Sequence, residues 1–153
     1  QMLMDNMIAY AEIDEILNLL EDKYREKVPE KVRTFFKEEK MVDYKPTIDV
    51  NTPLIQQNLK RETIVLLAIL NINYWCENEE EKQFFLNELA KNEEEKKRLE
   101  EKYNPDNLFK NKNNNDVSPD KIVEPQNISM VEYKKQGIFK RILDKITRFF
   151  KKN

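Results

Sequence analysis

Apolar residues recur at steps of three and four along much of the first ninety positions, the period of a helix buried on one side. Over about residues 6–28 the stripe is Ala9, Ile13, Ile16, Leu17, Leu20 and Tyr24, while Glu12, Asp14, Glu15, Glu21 and Asp22 fall mainly off it. Pro29 ends this helix and can occupy the first turn of the next, where its missing N–H costs nothing. That second helix, about 29–40, puts Val32, Phe35 and Phe36 on one side. An irregular stretch with Pro46 follows. Thr52-Pro53 then reads as a cap and first helical position, opening a third helix over about 53–75. Its run from Ile64 to Leu70 has no polar side, so it should be enclosed by protein. A buried strand competes for so short a run, but the unbroken flanks favour helix. Asn78 followed by Glu79, Glu80 and Glu81 marks a fourth helix start. Phe84, Phe85, Leu86, Leu89 and Ala90 fill its first half, and Lys91 to Lys102, nearly all charged, reads as a solvated arm.

Asn104-Pro105 stops that helix, and the stretch from 104 to 131 holds Pro105, Pro119, Pro125 and only scattered apolar residues. It cannot bury enough surface to offset its ordering entropy and reads as a disordered linker. Beyond it, Ile138, Phe139, Ile142, Leu143, Ile146, Phe149 and Phe150 fall on one helical stripe, with Lys140, Arg141, Lys145, Arg148, Lys151 and Lys152 across from it. The expected fold is all-α. A small bundle of about four helices spans 6–103, a linker spans 104–131, and a separate basic amphipathic helix spans 132–153.

Charge sharpens this division. The chain has 27 Lys and Arg against 29 Asp and Glu, a net of only −2. Residues 132–153 nevertheless carry eight positive and two negative side chains, so the preceding 131 residues are strongly acidic. The absences narrow the chemistry. With no His there is no His-based triad or metal site. One Gly excludes a P-loop or a Rossmann turn, and one Cys excludes an internal disulfide. No cofactor, metal or small-molecule ligand is expected, and no enzyme. Carboxylate pairs such as Glu12 with Glu15 read as solvated helix faces. Tyr74-Trp75-Cys76 reads as aromatic packing with Cys as a small hydrophobe. Arg61-Glu62, one turn before the all-apolar run, reads as a structural ion pair.

The tail carries the functional expectation. A basic amphipathic helix behind a flexible linker can lie on an anionic membrane, dock in a partner's groove, or pack on its own bundle. The residues concerned are Ile138, Phe139, Lys140, Arg141, Ile142, Leu143, Lys145, Ile146, Arg148, Phe149 and Phe150. The leading expectation is a non-enzymatic interaction or adaptor domain, tethered by this tail to the inner face of a cytoplasmic membrane. The alternative is a soluble regulator or inhibitor, of phage or plasmid type, whose tail binds a protein or nucleic acid. The acidic bundle would repel nucleic acid. No basic stretch precedes a long apolar run, so no signal peptide is expected and the location is cytoplasmic.

Overall fold

The computed structural model describes residues 2–89 and 137–151. Among them are six α-helices and no strand: α1 (Met2–Leu19), α2 (Asp22–Arg25), α3 (Glu30–Glu39), α4 (Arg61–Leu70), α5 (Glu79–Leu89) and α6 (Gly137–Thr147). The all-α expectation holds, and Ile64–Leu70 is helix rather than strand. The charged arm beyond Leu89, the linker at 104–131 and the first residues of the tail lie outside the described residues.

The centre of the molecule is α4. Every residue from Glu62 to Leu70 is buried, because a helix without a polar side must be covered all round. It runs on into a π-helical turn, Asn71–Trp75, the wider i to i+5 form of helix. α1 lies against α3 and α4, and α6 lies against α4 on another side. α5 closes the end of the π-helical turn. Tyr10 on α1 meets Phe35 and Phe36 of α3, with ring centroids 5.2 and 5.8 Å away.

Two helix boundaries differ from the pattern. The third helix begins at Arg61, not Pro53; Leu54–Gln56 forms a single 3-10 turn instead. The local Thr-Pro start signal is overridden by a remote cap: Glu12 of α1 accepts from the Lys60 N–H at 3.1 Å and from the Thr63 hydroxyl at 2.6 Å. The first helix breaks at Leu20–Glu21, where the backbone turns extended. There Glu21 N–H donates to Phe149 O at 2.9 Å, and Lys151 N–H donates to Leu19 O at 3.0 Å. The break is thus used to pair with the chain leaving α6, a contact no local pattern could announce.

The C-terminal helix does not stand apart. The seven apolar residues of its stripe join one hydrophobic core with those of α1, α3, α4 and α5. The reason lies in α4, which α1 covers on one side only; the stripe of α6 supplies the missing cover.

The carboxylates of α1 also correct the solvated-face expectation. Glu12 and Asp14 are both buried, because α1 is covered by α4 and α3 on either side. Asp14 is met by Lys40 at 2.8 Å and Lys37 at 3.5 Å. Glu12 is met by neutral donors, including the Tyr44 hydroxyl at 3.0 Å. Burial, and then the charge and hydrogen bond of Glu12, push the Tyr44 phenol up to about 12, so it stays a donor. Glu62 is buried next to Arg61, whose Nη2 lies 3.4 Å from its carboxylate, as the ion-pair expectation had it.

Candidate interaction surface

The eleven tail residues singled out by the pattern fall into two groups once the helix is docked. Ile138, Phe139, Ile142, Leu143, Ile146, Phe149 and Phe150 are buried. Phe149 stacks on Tyr24, with centroids 3.9 Å apart and planes 12° apart, and meets the Trp75 ring edge-on at 5.6 Å. The Thr147 hydroxyl donates to Leu143 O at 2.8 Å and accepts from the Leu54 N–H at 3.0 Å, fixing α6 to the 3-10 turn. Undocking would expose seven large side chains at about 1.5–3 kcal/mol each, along with the matching surface of α4. The stripe is therefore committed to the core. It is not free for a bilayer or for a partner's groove.

Among the described tail residues, Lys145 is the cation that turns inward. Its side chain is only 12% exposed, and its amine is 2.6 Å from Glu81 Oε2. The same amine donates to Asn71 Oδ1 at 2.5 Å and to Trp75 O at 2.9 Å, so all three of its N–H donors are used. It also lies 5.2 Å from the centroid of the Phe85 ring. Burial raises the Glu81 carboxyl, but the Glu77 N–H and the Lys145 amine outweigh it and hold the group below its ordinary value. Glu81 is itself fixed by its place in α5: its N–H donates to Asn78 Oδ1 at 2.8 Å, the cap expected from sequence, while its Oε1 accepts from the Glu77 N–H at 2.8 Å.

Lys140, Arg141, Arg148 and Lys151 remain exposed. At 100° per residue, Lys140, Asp144, Arg148 and Arg141 share about 100° of the helix circumference, a narrow cationic ridge with one carboxylate in it. Lys140 pairs with that Asp144 at 3.2 Å. On the α5 flank of the ridge, the Arg141 guanidinium lies 5.1 Å from the centroid of Phe84, which is 40% exposed. Phe84, Glu88, Gly137, Ile138 and Arg141 line an open groove of about 380 Å³ there. Residues 2–89 carry eleven basic and eighteen acidic side chains, Glu88 beside the ridge among them.

The remaining candidate chemistry is structural. Trp75 is buried and its indole N–H donates to Tyr24 O at 2.9 Å. The Cys76 thiol is pushed up to about 11, chiefly by burial, so it is a poor nucleophile near neutral pH. Among the described residues, no group of three or more Cys, Asp or Glu is placed to hold a metal ion. Among them, too, no helix is long and apolar enough to cross a membrane.

The place of Phe84 beside the ridge, and of Glu81, Asn71 and Thr147 in fastening α6, was not legible from the sequence pattern. The contacts concerned join residues far apart in sequence, up to 93 positions for Thr147 with Leu54. Periodicity reports a side of a helix without its neighbour. Comparison with protein-family models, with curated proteins and with solved structures finds no match to the chain.

Proposed function

We propose that this is a non-enzymatic interaction domain that associates peripherally with an anionic membrane surface, such as the cytoplasmic leaflet, through the outer side of α6. One observation carries the proposal: four of the five basic residues in the described tail face solvent, while its apolar residues turn inward. The attraction is electrostatic, and the tail acts as a charged ridge on a folded domain rather than as an inserted anchor. Near an anionic bilayer each Lys or Arg contributes about 1 kcal/mol, and added salt screens this within a Debye length of about 10 Å.

Vesicles of phosphatidylcholine with and without phosphatidylserine test this by co-sedimentation. The full chain should bind only the anionic vesicles, and binding should fall steeply with salt. Changing Lys140, Arg148 and Lys151 together to Gln should weaken binding by about fivefold per charge at low salt. A wild-type chain that ignores phosphatidylserine at low salt overturns the proposal.

A further inference from the structure

Among residues 4–89 and 137–151, the large hydrophobic side chains that are exposed are Met4, Val42 and Phe84. Met4 lies at the start of α1 and Val42 in the connection after α3. Phe84 sits beside the cationic ridge. It lies on α5 with its ring against Phe85, centroids 5.4 Å apart at 77°, and with the Arg141 guanidinium over its face.

This places an aromatic ring, a guanidinium and a charged ridge on one surface. A guanidinium can meet a lipid phosphate with paired N–H donors while its stem covers apolar surface. An exposed ring beside it suits the boundary between headgroups and acyl chains, where aromatic side chains concentrate. The groove next to them is open, and at Gly137 a Cβ would meet nothing within 4 Å. Glu88, one turn after Phe84 on the same helix, is the unfavourable member, since it would face lipid phosphates across that groove.

We propose that Phe84 is the apolar contact of this surface with an anionic bilayer, entering at the headgroup boundary with Arg141 on phosphate beside it. The proposal rests on the membrane association above and goes further by naming the residue that enters the lipid. It commits to a bilayer because the ridge supplies matching charge around the ring.

The test uses the full chain and vesicles of phosphatidylcholine with phosphatidylserine. Phe84→Ser should lower partitioning about fivefold while leaving the salt dependence as in wild type, because one partly buried ring is lost and no charge is. Phe84→Trp should keep binding and add a fluorophore at the contact. Its emission should shift to the blue and be quenched by brominated acyl chains, whereas Trp75 is enclosed in the core and stays shielded from them. Glu88→Gln should tighten binding about fivefold on anionic vesicles. Unchanged helix content and melting in each variant show that the fold is intact. If Phe84→Ser binds as wild type does, or if the Phe84→Trp indole stays unquenched while the chain is bound, the contact lies elsewhere and Phe84 is not the anchor. If the wild-type chain does not bind at all, the membrane association itself falls, and Phe84 as its anchor with it.

Discussion

The start of α4 and the end of the π-helical turn that continues it are each held by one charged side chain from a distant helix, buried Glu12 at the start and partly buried Lys145 at the end. At the start, the Glu12 carboxylate from α1 accepts from the Lys60 N–H, the Thr63 hydroxyl and the Tyr44 hydroxyl. At the far end, the Lys145 amine from α6 donates to Trp75 O, Asn71 Oδ1 and Glu81 Oε2. Each sign suits the helix macrodipole, positive where N–H groups are unpaired and negative where carbonyls are. The difference lies in the counterion. Lys145 meets a carboxylate, whereas the Lys60 N–H and the Thr63 and Tyr44 hydroxyls that donate to Glu12 are neutral. A buried carboxylate met in this way depends on every donor, and its loss leaves all of them stranded.

The largest expected effect is therefore at the N-terminal end. Glu12→Ala removes the acceptor for three donors and should cost about 3–5 kcal/mol in urea denaturation. Glu12→Gln, which keeps one acceptor oxygen, should cost distinctly less. A loss below about 1 kcal/mol for the alanine variant would mean that water replaces the carboxylate there, contrary to its burial.

At the other end the effect should be smaller. Lys145→Ala frees Glu81, which is partly exposed and can be rehydrated, so about 1–3 kcal/mol is expected. Lys145→Met, which fills much the same volume without charge, should cost less than the alanine change. Hydrogen exchange separates local from global effects: the α6 amides should lose protection before those of α1. Equal losses at both helices would show that α6 cannot loosen separately and that its pin belongs to the global core.

The smallest effect is a pH dependence confined to the Lys145 end. Glu81 titrates below its ordinary value of 4.5 in the folded chain, so on acidification the unfolded chain takes up the proton first. Its contribution is intact above that ordinary value and is lost as pH falls through the lower folded value. The group is partly exposed, so the loss should stay below about 1 kcal/mol. Comparing denaturation at about pH 6 and about pH 3 in wild type and Glu81→Gln isolates it, and the variant should lack this share of the acid dependence. An identical acid dependence in the two would remove Glu81 from the account.

Much of the helical content was legible because its signals are local. The Asn78 cap needs only Glu81 three residues on, and Pro29 marks the start of α3 although the preceding helices end earlier, at Leu19 and Arg25. The misplaced start of the third helix shows the limit. Thr52-Pro53 is a sound local signal, yet the helix begins at Arg61, where Glu12, 48 residues upstream of Lys60, offers its carboxylate to the Lys60 N–H. The same limit hid the burial of Glu12 and Asp14. A carboxylate on a helix pattern looks alike whether water or a second helix covers it.

The division of the tail into an apolar and a cationic side was determined by its sequence alone, through the helical period that sorts Ile138, Ile142 and Ile146 from Lys140, Arg141 and Arg148. The all-round apolar run from Ile64 to Leu70 likewise required that α4 be enclosed. What covers each was decided only in the tertiary structure. Hydrophobic burial is non-directional, so a stripe specifies that it must leave water but not whether lipid, a partner or its own chain receives it. Here the receiver is α4, reached across a long gap in sequence. That choice left the cations, rather than the stripe, facing outward.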